Sequence, residues 1–307
     1  MAVPTTSRRF LTAGVAALAL VIAGCSSGDD ASSDGTTTVP SDRTAITESE
    51  TPQAIVSLSP TTTEMLYAVG AGDQVIAVDD QSDYPEGVPV TDLSGYNPNV
   101  EAILGYDPDL VVATDDNGNL VAGLENAGVD VLILPAAVTL DDTYAQLEQV
   151  GAATGHVGDA AELVAQMQTE IDEIVASVPE REAPLRYYHE LDNTYYSVTD
   201  DTYIGQIYSM LGLTSIATGG DGYPQLSSEF IVEQNPDLIF LADSQCCGVT
   251  PETVGERAGW AELTAVRDGQ VHVLDEDIAS RWGPRVVDLV REIAAIVVAV
   301  PAGQPAP

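Results

Sequence analysis

From Gln53 onward, short apolar runs alternate with stretches in which apolar residues recur every three or four positions. Ala54–Leu58, Val75–Val78, Leu110–Ala113 and Val131–Leu134 have strand length and are bounded by polar or turn-forming residues. Between them, Thr62–Val69 closed by Gly70 and Leu120–Ala127 closed by Gly128 predict helices, because glycine past the last turn takes the left-handed conformation that ends a helix. Leu140–Thr154 predicts a further helix with Tyr144 and Leu147 facing inward. Strands alternating with helices predict parallel α/β layers.

A longer element follows. Asp159 and Glu162 read as a capping pair, and Leu163, Met167, Ile171, Ile174 and Val178 recur at helical spacing until Pro179 stops the pattern. About 20 residues at ~1.5 Å rise predict a rod of roughly 30 Å. After Pro184 the alternation resumes. Leu185–Leu191, Leu238–Ala242 and Val271–Leu274 read as strands, Thr202–Leu211 and Val286–Val300 as helices. Tyr187, Tyr188 and His189 share the first of these strands, which places at least one of them in the core.

The two halves carry one module twice. Glu101 opens a short helix that leads through Pro108-Asp109-Leu110 into a strand, and Glu229 opens another that leads through Pro236-Asp237-Leu238. Proline ends each helix and sets an extended entry to the strand. Two similar lobes on one rod enclose a cleft, a favoured place for a small-molecule site.

Composition narrows the function. The chain has 48 acidic residues against 10 arginines and no lysine, for a formal net charge of −38. A nucleic-acid binder working through a basic face is thereby excluded, as is charge-driven docking on anionic lipid. The basic residues Arg8 and Arg9 precede the apolar run Phe10–Ala23, whose 14 residues reach only about 21 Å as a helix, short of a ~30 Å hydrocarbon core. The sequence Leu20-Val21-Ile22-Ala23-Gly24-Cys25 resembles a bacterial lipobox. That resemblance implies cleavage before Cys25, lipid on its sulfur and a mature chain anchored on the extracytoplasmic face of the cell membrane. Ser7-Arg8-Arg9-Phe10-Leu11 is also weakly similar to a twin-arginine signal. The next stretch is Ser, Thr, Asp and Gly with little to bury, and reads as a disordered tether. With Cys25 lipidated, the adjacent Cys246 and Cys247 remain. Outside the cytoplasm they pair as a vicinal disulfide that fixes the loop after a strand; the alternative, a thiolate metal site, lacks further ligands at suitable spacing.

The ordered motifs resemble the solute-binding proteins of ABC importers for metal chelates: vitamin B12, ferric siderophores and haem. The resemblance is carried by Ile55-Val56-Ser57-Leu58-Ser59-Pro60 with Glu64, by Ser82-Asp83-Tyr84-Pro85, by the two Glu…Pro-Asp-Leu modules and by Arg281-Trp282-Gly283-Pro284-Arg285. It implies two Rossmann-like lobes joined by one long helix, the class III periplasmic-binding fold. The layout is then signal peptide 1–24, tether 25–52, first lobe 53–155, inter-lobe helix 156–180, second lobe 181–300 and tail 301–307.

The resemblance also implies roles. Glu101 and Glu229 match the carboxylates, one per lobe, that dock into arginine pockets of the permease, which works with its ATPase. Ser59, Pro60, Gln81, Tyr96 and Thr114 match the first lobe's ligand rim; Tyr195, Tyr223, Arg281, Trp282 and Arg285 match the second's. Two arginines beside a tryptophan suit the oxygens and flat ring of a chelate, while pairing of Arg285 with Asp288 is the alternative. The iron or cobalt would arrive chelated, with no resident cofactor or metal, and the binder is expected to be a monomer. A stiff rod predicts modest closure. An enzyme reading lacks a Gly-x-Ser-x-Gly elbow, a phosphate loop and a Gly-x-Gly-x-x-Gly turn. A ligand sensor on the same fold is the remaining rival.

Overall fold

Alternating strands and helices build two parallel sheets in the computed structural model, which describes residues 51–301. Cys25, the signal segment and most of the tether lie outside the described residues. In the first lobe, β1 (Ile55–Ser57) leads into α1 (Pro60–Ala68) and β2 (Val75–Val78). A long loop then reaches α2 (Val100–Leu104), β3 (Leu110–Ala113), α3 (Leu120–Glu125) and β4 (Asp130–Ile133). The strands lie in the order β2-β1-β3-β4, all parallel. Two helices follow, α4 (Leu140–Thr154) and the rod α5 (Val157–Ser177), whose 21 residues span about 31 Å at ~1.5 Å each.

The second lobe starts with β5 (Leu185–Glu190), α6 (Tyr203–Met210) and β6 (Leu213–Ser215). It continues through α7 (Ser228–Gln234), β7 (Leu238–Leu241) and three short helices, α8 (Ser244–Cys247), α9 (Pro251–Gly255) and α10 (Thr264–Arg267). Then come β8 (Val271–Val273), α11 (Glu276–Ser280) and α12 (Val286–Ala299). Its sheet is ordered β6-β5-β7-β8, again all parallel, so the two lobes share one topology.

The repeated module explains the likeness locally. Asn99 caps α2 by accepting from the Ala102 amide at 3.2 Å, and Ser227 caps α7 by accepting from Phe230 at 3.1 Å. The Asp109 carboxylate then takes the amides of Gln53 and Ala54 at 2.8 and 3.0 Å, stitching the start of β3 to that of β1. Asp237 does the same for β5 through the Arg186 amide at 2.8 Å.

Side chains on each strand alternate between two faces. Val56 and Val111 pack with Leu120 and Leu124 on the outer face of the first sheet, and Tyr188 and Ile239 pack with Trp260 on that of the second. Their sequence neighbours Ile55, Val112, Tyr187 and Phe240 enter one core that spans both lobes and takes in Leu147, Met167, Ile171, Val290 and Ile293 from α4, α5 and α12. Among the described residues no helix is long and apolar enough to cross a membrane.

Two details differ from the pattern in the sequence. The rod starts at Val157 because Gly155, at φ +82°, closes α4 and leaves only His156 between the helices. Asp159 therefore lies inside the first turn and meets the His156 ring at 3.1 Å, while the reciprocal capping box belongs to α4, between Thr139 and Asp142. The edge strand β6 was not predicted, its three residues being too few to show a period.

Candidate functional site

In open parallel sheets, ligands lie beyond the carboxyl ends of the strands. In the first lobe these ends carry most of the rim residues implied by the family resemblance. Ser59, two residues past β1, is the N-cap residue of α1, and Pro60 takes the first helical position, where its missing N–H costs nothing. Ser59 itself is buried. Gln81 follows β2 and is exposed; Thr114 follows β3, half-buried, and donates to Asp115 at 3.1 Å. Tyr96, on the loop between β2 and α2, is 91% exposed. Gly95 beside it passes so close to β1 that a Cβ there would sit 1.9 Å from the Leu58 carbonyl oxygen. Beneath this lip lies a buried hydroxyl chain: Thr63 meets Ser57 and Ser82 at 2.9 Å each, and Ser82 donates to Asp79 at 2.5 Å. Burial raises the Asp79 pKa above the usual carboxylate range.

The second lobe's rim is built differently. Tyr223 is 51% exposed, whereas Tyr195, at φ +70°, is half-buried with its ring 5.8 Å from that of Trp260. The Arg257 guanidinium lies 5.3 Å from the Tyr195 ring and 4.6 Å from that of Trp260. Arg257 also donates both terminal nitrogens to Glu190, the last residue of β5, at 2.6 Å each. Nearby Asp243, just beyond β7, is fully buried with neither carboxylate oxygen hydrogen-bonded. Desolvation, then the charge of Glu190, pushes its pKa up to about 7. No sequence motif pointed to this cluster; the only hint was that Glu190 and Asp243 interrupt apolar strand ends.

Arg281 and Arg285 do not stand free in the cleft. Both reach across to the first lobe and grip Glu64 of α1, which is 2% exposed. Arg281 donates to Glu64 at 2.9 Å, to Asp83 at 3.2 Å and to Asp277 at 2.6 Å. Arg285 forks onto Glu64 at 2.8 and 2.5 Å and lies 4.2 Å from the centre of the Tyr84 ring. The alternative partner Asp288 pairs instead with Arg291. Trp282 is half-buried against the shared core and donates to Gln146 of α4 at 3.0 Å. Sequence reading placed these three residues on the ligand; in the structure their polar groups serve an inter-lobe seam. Thr143 and Tyr203 extend that seam at 3.1 Å, and Gln206 donates across it to the Val138 carbonyl at 2.9 Å.

Glu101 and Glu229 are both exposed and occupy the second position of α2 and α7. Because these helices return the chain to the starts of β3 and β7, their first turns lie toward the carboxyl edge of each sheet. Cys246 and Cys247, the last two residues of α8, are joined by a disulfide.

Two like-built α/β lobes, one connecting rod and rims at the carboxyl ends of both sheets define a two-lobed ligand-binding protein. Residues 55–278 match the family described as Periplasmic binding protein, and the chain belongs to that family. It is 31% identical over 258 residues to an uncharacterized ABC transporter substrate-binding lipoprotein, YvrC, of Bacillus subtilis, covering 81% of each chain. It is also 31% identical over 263 residues to a cobalamin-binding protein of Halobacterium salinarum, covering 82% of this chain and 71% of that one. Among solved structures, the periplasmic vitamin B12 binding protein BtuF of Vibrio cholerae superposes with a TM-score of 0.65 at 27% identity, over 80% of this chain and 96% of that one.

Proposed function

We propose that this chain is the lipid-anchored, extracytoplasmic substrate-binding component of an ABC importer, and that it captures a cobalamin-type corrinoid between its lobes. It delivers the chelate to the permease and does no chemistry on it; the cobalt arrives inside the ligand. The observation that carries the choice of chelate is the state of the rim. Arg281 and Arg285 are consumed by Glu64, so the guanidinium groups that would favour an anionic siderophore are neutralised. Exposed tyrosines remain on both lobes, namely Tyr84 and Tyr96 on one and Tyr196 and Tyr223 on the other. Flat aromatic faces with polar tips suit a large ring edged by amides. The names of the Halobacterium and Vibrio relatives agree with this choice.

Glu101 and Glu229 supply one exposed carboxylate per lobe at matched positions, suited to bidentate arginine partners on a permease. Lipidation of Cys25 supplies the anchor. Titration of the mature chain with cyanocobalamin, haem and a panel of ferric siderophores should give saturable binding to cobalamin; binding to another chelate alone sinks the choice of ligand. Glu101→Arg combined with Glu229→Arg should abolish cobalamin uptake by cells while leaving affinity in solution intact, and undiminished uptake would remove the docking role.

A further inference from the structure

A disulfide stabilises a fold by closing a loop in the unfolded chain, and its effect grows with loop length. The Cys246–Cys247 bond joins neighbours in sequence, with Cα atoms 3.8 Å apart, so it ties no distant segments together. Structural stapling therefore explains little of it. Both cysteines are also exposed, although cysteine is among the most buried residue types.

Their position is specific. They close α8, the short helix that follows β7, a strand paired on both sides in the second sheet, at the carboxyl edge where open sheets bind ligands. α8 is held in one shape by its own helical bonds and a side-chain contact. The Cys247 amide donates to the Asp243 carbonyl at 3.1 Å, Gly248 to Ser244 at 3.0 Å, and the Ser244 hydroxyl to the Val249 carbonyl at 2.6 Å. From outside, the Glu276 carboxylate accepts from the Gln245 amide and from Cys246 at 3.1 Å. The corresponding lip after β3 in the first lobe reads Thr114-Asp115-Asp116 and offers only polar groups.

We propose that the Cys246–Cys247 disulfide is a ligand-contact element: a rigid, polarisable sulfur face that packs against the flat ring of the bound chelate and sets the cleft's preference for macrocycles. This rests on the cobalamin reading above. Sulfur packs favourably against conjugated rings, and a preformed loop spends no ordering entropy on binding.

The test uses the mature chain, residues 25–307 with Cys25→Ala so that it carries no lipid, titrated with cyanocobalamin. Parent, Cys246→Ala/Cys247→Ala and Cys246→Ser/Cys247→Ser are compared, each with its melting temperature. The expected order of affinity is parent, then alanine pair, then serine pair, with the serine pair about 3- to 10-fold weaker and melting unchanged. Equal affinities overturn the proposal and leave the cobalamin reading standing. So does a fall in melting temperature that tracks the loss of affinity, which makes the bond a staple. If the parent binds haem or a ferric siderophore instead, the cobalamin reading fails and the same three proteins decide the disulfide's role on that chelate. A parent that binds none of them overturns both.

Discussion

The molecule holds two buried ion clusters of opposite design. At the lobe junction, Arg281 and Arg285 share one buried carboxylate, Glu64, and each of these three charges has a hydrogen-bonded partner on the opposite lobe. Inside the second lobe, one guanidinium, Arg257, faces two carboxyl groups, of which only Glu190 is paired. Satisfied charges in a dry junction fix geometry, because moving either lobe would strip partners from a buried ion. Burial and the charge of Glu190 instead raise the pKa of the unpaired Asp243 to about 7. One cluster is thus a joint, the other a titrating site beneath the second lip.

Three substitutions separate the joint from the titrating site. Glu64→Ala strips the nearly buried Arg285 of its hydrogen-bonded carboxylate and leaves Arg281 only Asp83 and Asp277, and should cost about 3–5 kcal/mol in urea denaturation. A loss below ~1 kcal/mol would mean that the shared core, not the ion cluster, holds the junction. Asp243→Asn acts in the opposite direction and depends on pH. The native pKa of about 7 lies above the ordinary value of 3.8. The stabilising contribution of the protonated acid is therefore fully present below about pH 4 and lost as the pH rises through about 7. An amide carries no charge beside Glu190 and does not titrate, so the variant should match its parent near pH 4 and exceed it by at least ~1 kcal/mol at pH 8. A constant difference across that range would show that Asp243 does not titrate there. Trp282→Phe removes one indole bond to Gln146 and should cost only about 0.5–1.5 kcal/mol. A larger loss would make the indole a main part of the seam.

The rims differ in the same spirit. In the first lobe, a tyrosine stands out on a loop whose backbone presses against β1 at Gly95. In the second, Tyr195 is packed under Arg257, and the exposed surface after β7 is sulfur. Equal topology has therefore not produced equal chemistry at the two lips.

Much of the fold was legible because it is local. The alternation of apolar runs, the glycine stops at Gly70 and Gly128 and the twin Pro-Asp-Leu modules each depend on residues within a few turns of one another. The same locality placed Glu101 and Glu229 on matched helix starts. The polar side of the site was less legible. Arg281 and Glu64 are 217 positions apart, and nothing in either segment shows that the arginine is already engaged. Asp243 stands alone among the polar residues after β7, and nothing near it in the chain shows that Glu190 and Arg257 will pack beside it.

Residues close together in the chain suffice to specify two α/β lobes, the rod between them and the side chains available at their edges, since periodicity, capping and chain breaks act over short range. Only the tertiary structure decided which charges are spent and which remain for a ligand. An ionised group in a low-dielectric junction must find its partners among whatever packing brings near, and that is a property of the assembled lobes.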